Sequence, residues 1–274
     1  MKDELVVVTG GGGFIGGSLV ADLRRQGCQK IRAVDIKPFE EWYQCFDDVE
    51  NLPLDLNIKE NCETAARGAC QIFNLAAHMG GKGFIEHNKA LCMLSVLINT
   101  HMLQAALKFG VQRYFYSSSA CVHNGEKQTD PDSPALKEED AYPALSEDGC
   151  GWEKLFSERI CRHFREDFGL CTRVARFHMI MDSNIRDPIN RGSSELVSIE
   201  QLVGLVEEIA GIKLNRRYNL SAPKGVAGRN SDNTHIKQYL NWEPNIPLRV
   251  GLEKTYAWIY DQYVEREKRC QACR

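Results

Sequence analysis

The sequence predicts an α/β protein built on a doubly wound parallel sheet with a small, reduced C-terminal lobe, on three observations. An apolar run, Leu5-Val6-Val7-Val8-Thr9, feeds into the glycine cluster Gly10-Gly11-Gly12-Gly13-Phe14-Ile15-Gly16, and a helical pattern starts at once with Ser18-Leu19-Val20 and Leu23. A second strand-like run, Ile31-Arg32-Ala33-Val34, ends on an acid, Asp35. Strand-like and helix-like segments then alternate as far as Phe177. Such alternation demands parallel strands, because each strand must return to the sheet through a helical crossover.

The glycine turn has a chemical reading. Gly10 permits the tight turn, Gly13 lets the backbone approach a phosphate with no Cβ in the way, and Gly16 lets helix and strand pack closely. The free N–H groups and partial positive charge of the first helical turn, which includes Phe14 and Ile15, then hold a dinucleotide pyrophosphate. Asp35 lies about twenty residues past the glycines, where an acid takes the adenosine ribose hydroxyls. A carboxylate there would repel a 2′-phosphate, so the expected cofactor is NAD rather than NADP.

Composition narrows the classes. With 43% hydrophobic and 26% charged residues and a formal net charge of −3, the 274-residue chain has ordinary globular composition. We expect a nucleotide-binding domain over 1–180 and a small substrate lobe over 181–274. There is no basic surplus for nucleic acid, and the mixed charges argue against a membrane surface. The start shows no signal-peptide pattern, and no apolar run reads as long enough to cross a bilayer, so a cytoplasmic location is expected. The eleven cysteines are scattered and read as cytosolic thiols, mostly small buried apolar residues. Cys270 and Cys273 form a CxxC with no second pair at zinc-ribbon spacing, which reads as frayed tail, and no histidine spacing suggests a metal.

In order, strands are expected at 5–9, 31–35, 52–56 (ending near Asp55), 71–77, 113–122 and 171–177. Helices are expected at 16–26, 58–67, 88–109 and 151–168. The long helix 88–109 should turn Leu91, Leu94, Ile98, Met102, Ala105 and Ala106 inward and stop at Gly110. Residues 38–50, with Trp42, Tyr43 and Phe46, are a mixed loop suited to surface packing or to a lid on the adenine side. Residues 124–147, rich in Pro, Asp and Glu, read as a surface loop. Beyond His178 the pattern changes: 181–191 is polar and irregular, and 198–209 is a helix with Ser198 and Gln201 as a capping box. Then come an expected strand at 213–220, a glycine-rich loop over 222–233 carrying Arg229, and helices at 234–240 and 248–268.

At this point the chain resembles the extended short-chain dehydrogenase/reductase family. Thr9-Gly10-Gly11-Gly12-Gly13-Phe14-Ile15-Gly16, Asp55-Leu56, Asn74-Leu75-Ala76-Ala77 and Ser117-Ser118-Ser119-Ala120-Cys121 stand in that family's order. Within it the likeness points to the GDP-mannose 3,5-epimerases, through Leu75 to Ile85, Ser119-Ala120-Cys121 and Gly225-Val226-Ala227-Gly228-Arg229-Asn230-Ser231-Asp232-Asn233. The resemblance implies a Rossmann fold with Asp55, Leu56, Ala76, Ala77 and Lys154 joining the glycines and Asp35 around NAD. It implies Gly80, Ser119, Cys121 and Arg229 around the substrate, with Cys121 as an epimerisation acid/base and Arg229 on the substrate diphosphate. It also implies a homodimer through helices 88–109 and 151–168. A thiol with a pKa near ~8.5 can be tuned toward neutrality by a nearby cation, which suits Cys121 to the role.

Two departures stand against the agreement. The family places a Tyr four residues before Lys154, where this chain has Cys150. A thiol beside a cation can still act as base, but it is shorter than a phenol. Between Phe177-His178-Met179 and Asp187-Pro188-Ile189-Asn190 the family carries a long segment that closes over the nucleobase and supplies a second catalytic residue, a lysine; here about a dozen residues make the join. Met179 replaces a substrate-facing Asn. The candidate catalytic residues are therefore Cys121, Cys150, Lys154 and Ser119, with His78, His87, His123 and His178 near strand exits as surface or supporting residues. The expected activity is an NAD-dependent epimerase acting on a nucleotide-sugar, nucleotide or nucleoside through a transient ketone. The alternatives are a net dehydrogenase or reductase of the same family, and an NAD-binding protein that has lost catalysis.

Overall fold

The computed structural model describes residues 3–177, 189–192, 195, 197–219, 221–222 and 225–272, with backbone alone at 82, 189, 191 and 265–272. Its elements run β1 (Val6–Thr9), α1 (Phe14–Arg25), β2 (Ile31–Asp35), β3 (Glu50–Pro53), α2 (Lys59–Ala66), β4 (Gln71–Asn74), α3 (Lys82–His87), α4 (Lys89–Lys108) and β5 (Arg113–Ser119). Then follow α5 (Cys150–Phe168), β6 (Thr172–Phe177), β7 (Ile189–Arg191), α6 (Ile199–Ala210), α7 (Thr234–Leu240) and α8 (Leu248–Ala272). The seven strands form one sheet in the order β3-β2-β1-β4-β5-β6-β7. Every pairing is parallel.

The all-apolar run of β1 is explained by its place. It is an interior strand, flanked by β2 and β4, and all four of its residues are buried. A parallel strand covered on both faces has no solvent side and needs no polar alternation. Val7, with Ile72 and Tyr114, faces a core closed by Cys62 and Ala65 of α2, Met102 and Leu103 of α4 and Cys161 of α5. Val6 and Val8, with Ala33, Phe73 and Phe115, face the opposite core, closed by Val20 and Leu23 of α1 and by Trp42. Strand order reverses between β1 and β4, which opens a crevice at the carboxyl edge of the sheet.

Several expectations are corrected. β3 ends at Pro53, and Asp55 lies in the turn beyond it, where its carboxylate accepts the Asn57 N–H at 2.9 Å. That side-chain turn competes with the ladder and ends the strand. The fourth strand likewise ends at Asn74, so Leu75, Ala76 and Ala77 form its exit, and the short helix α3 is an element the sequence pattern does not announce. On α4, Ile98, Met102, Ala105 and Ala106 are buried, but Leu91 and Leu94 are 38% and 49% exposed. By length and composition α4 is also apolar enough to cross a membrane, contrary to the sequence reading. It packs against α2 and α5.

The segment 124–147 is not a surface loop. It forms short 3-10 turns and buries Gln128, Leu136 and Ala141. It is tied down from afar: Arg176 donates to the Glu138 carbonyl at 2.6 Å, and Asn190 to the Leu136 carbonyl at 2.9 Å. In the 38–50 loop, Trp42 is core and its ring lies against Gly12, so packing accounts for the aromatic run. Part of the stretch read as irregular is β7, while 178–188, including His178 and Met179, lies outside the described residues. No strand forms over the described residues 213–219. That stretch is held to α6 by side chains, with Leu214 N–H and Arg216 both donating to Glu207 at 3.2 and 2.8 Å. The capping box of Ser198 and Gln201 is present. α8 continues through Ala272, so the backbone at Cys270 is helical rather than frayed, and Cys273 lies outside the described residues.

Candidate active site

The turn between β1 and α1 brings its glycines to atomic contact. Gly10 has φ +70°, and a Cβ on Gly16 would lie 2.0 Å from the Gly10 carbonyl oxygen, so no larger residue fits. α1 begins after Gly13 with no side-chain cap, leaving its first N–H groups for an incoming anion. A cleft opens from this turn across the carboxyl ends of the central strands. Gly10, Gly13, Asp35, Asp55, Leu56, Ala76 and Ala77 all line it, together with Lys37, Asn57 and His78, which the sequence reading did not assign to the cofactor. The Asp35 carboxylate is fixed at one edge, accepting the N–H groups of Gly12 and Lys37, each at 3.1 Å. It keeps lone pairs for ribose hydroxyls. Gly16 is buried beneath the turn, while Phe14 and Ile15 are about half exposed outside the cleft lining. Phe14 meets the rings of Tyr43 and Trp258 at 4.8 and 5.8 Å, so α8 rests on this turn.

A second cluster forms beside the cleft, where β5 ends. Ser119 accepts the Cys121 N–H at 3.3 Å and so starts the 3-10 turn Ala120–Val122. Gly149, at φ +76°, turns the chain into α5, whose first residue is Cys150. A Cβ on Gly151 would sit 2.5 Å from the Cys121 carbonyl oxygen. That close approach brings the Cys121 and Cys150 sulfurs to 3.3 Å. Both residues are 5% exposed, and buried Cys92 of α4 packs against them.

The two thiols are driven apart in acidity. The hydrogen bond with Cys121 holds the Cys150 thiol below its ordinary pKa, and the charge of Lys154 adds to this against the pull of burial. The same hydrogen bond, with burial, pushes Cys121 well up. Of the two, Cys150 is the more acidic thiol and Cys121 the weaker acid. This reverses the expectation that a cation would bring Cys121 toward neutrality: the charge of Lys154 favours the anion of Cys150 instead.

The remaining candidates separate. Lys154 is buried, donates to the Ser117 carbonyl at 3.0 Å and lies 4.7 Å over the Tyr116 ring. Arg229 donates to Gln128 at 2.6 Å and forms an ion pair with Glu147, whose own N–H donates to the Cys121 carbonyl at 3.1 Å. A substrate diphosphate reaching Arg229 would compete with Glu147. Gly80 is exposed at the start of the α3 turn, where a Cβ would meet the Phe84 ring. His78 sits in the cleft, 2.9 Å from the Asn57 amide nitrogen, whereas His87 bonds locally to Gly83 O at 2.7 Å. His123 is buried, not on the surface. Cys92 and Glu147 escaped the sequence reading, because their contacts with the pair depend on how α4 and the 124–147 segment pack, and no local spacing announces that.

A seven-stranded parallel sheet with a glycine cradle at its switch point defines a Rossmann-type nucleotide-binding protein. The chain belongs to the NAD-dependent epimerase/dehydratase family, whose model matches residues 6–181. It is 34% identical to the GDP-mannose 3,5-epimerase of Arabidopsis thaliana over 319 aligned positions, covering 96% of this chain and 84% of that protein. Its likeness to GDP-mannose 3,5-epimerase 1 of Oryza sativa subsp. japonica is also 34%, over 96% and 83% of the two chains. The Arabidopsis alignment is longer than the 274 residues here, so at least 45 of its positions have no counterpart in this chain. Among solved structures, the fold matches UDP-glucose 4-epimerase of Thermotoga maritima at TM-score 0.80 and 19% identity, covering 94% of this chain and 99% of that one. It also matches UDP-glucose 4-epimerase of Thermus thermophilus at TM-score 0.77 and 17% identity, covering 90% and 96%.

Proposed function

We propose that this protein is an NAD-dependent epimerase acting on a nucleotide-sugar, or on a smaller nucleotide or nucleoside, through transient oxidation of a sugar carbon to a ketone. The cradle fits NAD: Gly10, Gly13 and the start of α1 would take the pyrophosphate, Asp35 the adenosine ribose, and Asp55, Leu56, Ala76 and Ala77 the path across the sheet. When bound, NAD supplies a reversible hydride acceptor. The Cys150 thiolate accepts the proton of the sugar hydroxyl as the carbon is oxidised, and Lys154 keeps that thiolate charged. The ketone acidifies the neighbouring C–H bonds, and Cys121, held protonated, returns a proton to that carbon once a base on the opposite face has removed one. Ser119 fixes the Cys121 turn, while Arg229, released from Glu147, meets the substrate's anionic group, with Gly80 on the sugar side.

The observation that carries this reading is the pair of thiols, 3.3 Å apart at the carboxyl end of β5, the strand next to the one whose exit residues line the cleft. The 34% likeness to two GDP-mannose 3,5-epimerases supports the nucleotide-sugar class. The positions without counterpart agree with a shortened clamp and a smaller substrate. We further propose residues 181–274 as the substrate lobe, and a homodimer formed through α4 and α5.

Incubation with NAD and candidate nucleotide-sugars or nucleotides in heavy water tests the chemistry. Inversion with deuterium at a carbon-bound position, and no net rise in reduced cofactor, is the expected result. Net reduction of NAD without inversion would replace epimerase with dehydrogenase, a reaction that needs only the hydride step and no second acid/base group. NAD binding with neither change would mark a chain that has lost catalysis.

A further inference from the structure

We propose that Cys121 and Cys150 are an oxidative modification site, a dithiol that a hydroperoxide closes into a reversible disulfide. The two sulfurs lie 3.3 Å apart. A disulfide bond is about 2.05 Å long, so closure requires a movement of little more than 1 Å. The approach is built into the backbone: Gly151 admits the Cys121 carbonyl where any Cβ would collide, and the Glu147 N–H donates to that carbonyl at 3.1 Å.

The pair differs from every other described thiol. All nine described cysteines are free, but Cys62 and Cys161 stand apart from any sulfur partner in the hydrogen-bond network and are pushed up to about 12 by burial. Cys45 is exposed and serves as an isolated reference. Cys150 is the described thiol with a lowered pKa, through its hydrogen bond with Cys121 and the charge of Lys154 one turn along α5. Thiolate is the form that attacks peroxide.

The chemistry balances in two steps. The Cys150 thiolate attacks one peroxide oxygen, the O–O bond breaks, and Cys150 becomes a sulfenic acid while hydroxide leaves. The Cys121 thiol then attacks that sulfur; the S–S bond forms, the S–O bond breaks, and water leaves with the Cys121 proton. In sum, two thiols are oxidised, one hydroperoxide is reduced, and with hydrogen peroxide two waters form. Closure would remove both the base and the acid of the proposed reaction. That consequence rests on the function proposed above, whereas formation of the bond does not.

The experiment uses the full chain, reduced, treated with stoichiometric hydrogen peroxide, quenched in acid, alkylated with N-ethylmaleimide and mapped by mass spectrometry. The expected result is loss of two alkylated thiols and one cross-linked pair of peptides carrying residues 121 and 150, reversed by dithiothreitol. Cys150→Ser and Cys121→Ser should each abolish the cross-link, and Cys92→Ser should leave it. A link through Cys92 would overturn the assignment. So would oxidation of Cys45 while residues 121 and 150 remain fully alkylated. The wild-type map decides the matter even if a serine variant fails to fold. It is also independent of turnover, so an inactive chain can still form the bond and an active one can lack it.

Discussion

His123 shows how far a single residue can depart from its sequence context. It follows a strand exit, where imidazoles commonly meet solvent, yet it is wholly enclosed, with Nδ1 3.0 Å from the Ala120 carbonyl. Burial, then the nearby Arg176 charge, brings its pKa from 6.5 down to about 4. The unfolded chain protonates this ring as pH falls through about 6.5, and the folded chain resists until about 4. Stability contributed by the neutral ring is thus complete above 6.5 and is lost as pH falls toward 4, by about 3 kcal/mol. Urea unfolding of wild type and His123→Asn at several pH values from 7 to 4 should show wild type losing about that much more than the variant; parallel pH dependences would refute it. The same limit on legibility applies to the thiols. Cys121 and Cys150 were each visible in sequence as candidates, through their neighbours Ser119 and Lys154. Their mutual contact, and the greater acidity of Cys150 that follows from it, depends on Gly151 fitting beneath a carbonyl 30 residues earlier in the chain.

Among elements, the β1–α1 unit was readable because everything that makes it is local. Its strand is uniformly apolar, its turn is glycine, and its helix begins on the next residues. Gly16 is where that unit is least tolerant, since the Gly10 carbonyl that a Cβ would strike at 2.0 Å is backbone and cannot swing aside. Gly16→Ala should displace α1 from the turn, destabilise the fold by about 1–3 kcal/mol, and lower NAD affinity by on the order of a hundredfold, equivalent to about 3 kcal/mol. Gly204→Ala is the control: it lies within α6, with its nearest neighbour the Arg216 side chain at 3.6 Å. That change should raise stability by up to about 1 kcal/mol and leave NAD binding intact. Calorimetric titration with NAD checks both, and equal affinity in the two variants would remove the close-approach argument. Elements held from a distance were not readable in this way. β7 is three residues long and pairs with β6. The 124–147 turns are fastened by Arg176 and Asn190, which lie dozens of positions away in sequence. Nothing in the local composition of either stretch reports those partners.

At the scale of the whole molecule, α4 sets the problem. Its composition would suit a membrane span, yet one side of it is the floor of the core, with Ile98, Met102 and Leu103 buried. The rest of its apolar surface faces outward as Leu91, Met93, Leu94 and Leu97, and neighbouring α5 exposes Trp152 and Phe156, the latter at 54%. Helical spacing places Leu91, Leu94 and Leu97 on one side of α4, and Trp152 and Phe156 on one side of α5. Such a surface on two packed helices exceeds the scattered exposed leucine of an ordinary monomer and calls for a cover. Periodicity places Leu91 and Leu94 in the core because it cannot separate a residue buried against its own sheet from an apolar residue left on the surface. A second copy, pairing α4 and α5 about a two-fold axis, would use the same patch on both subunits. Light scattering on the eluted wild-type protein should therefore give about twice the 31.0 kDa chain mass. Leu94→Glu combined with Phe156→Glu should halve it, because each charge would be desolvated twice in a symmetric interface. The change should leave the far-ultraviolet spectrum unaltered, as neither side chain belongs to the buried core. A wild-type chain that elutes at its single-chain mass at micromolar concentration would refute the two-fold pairing.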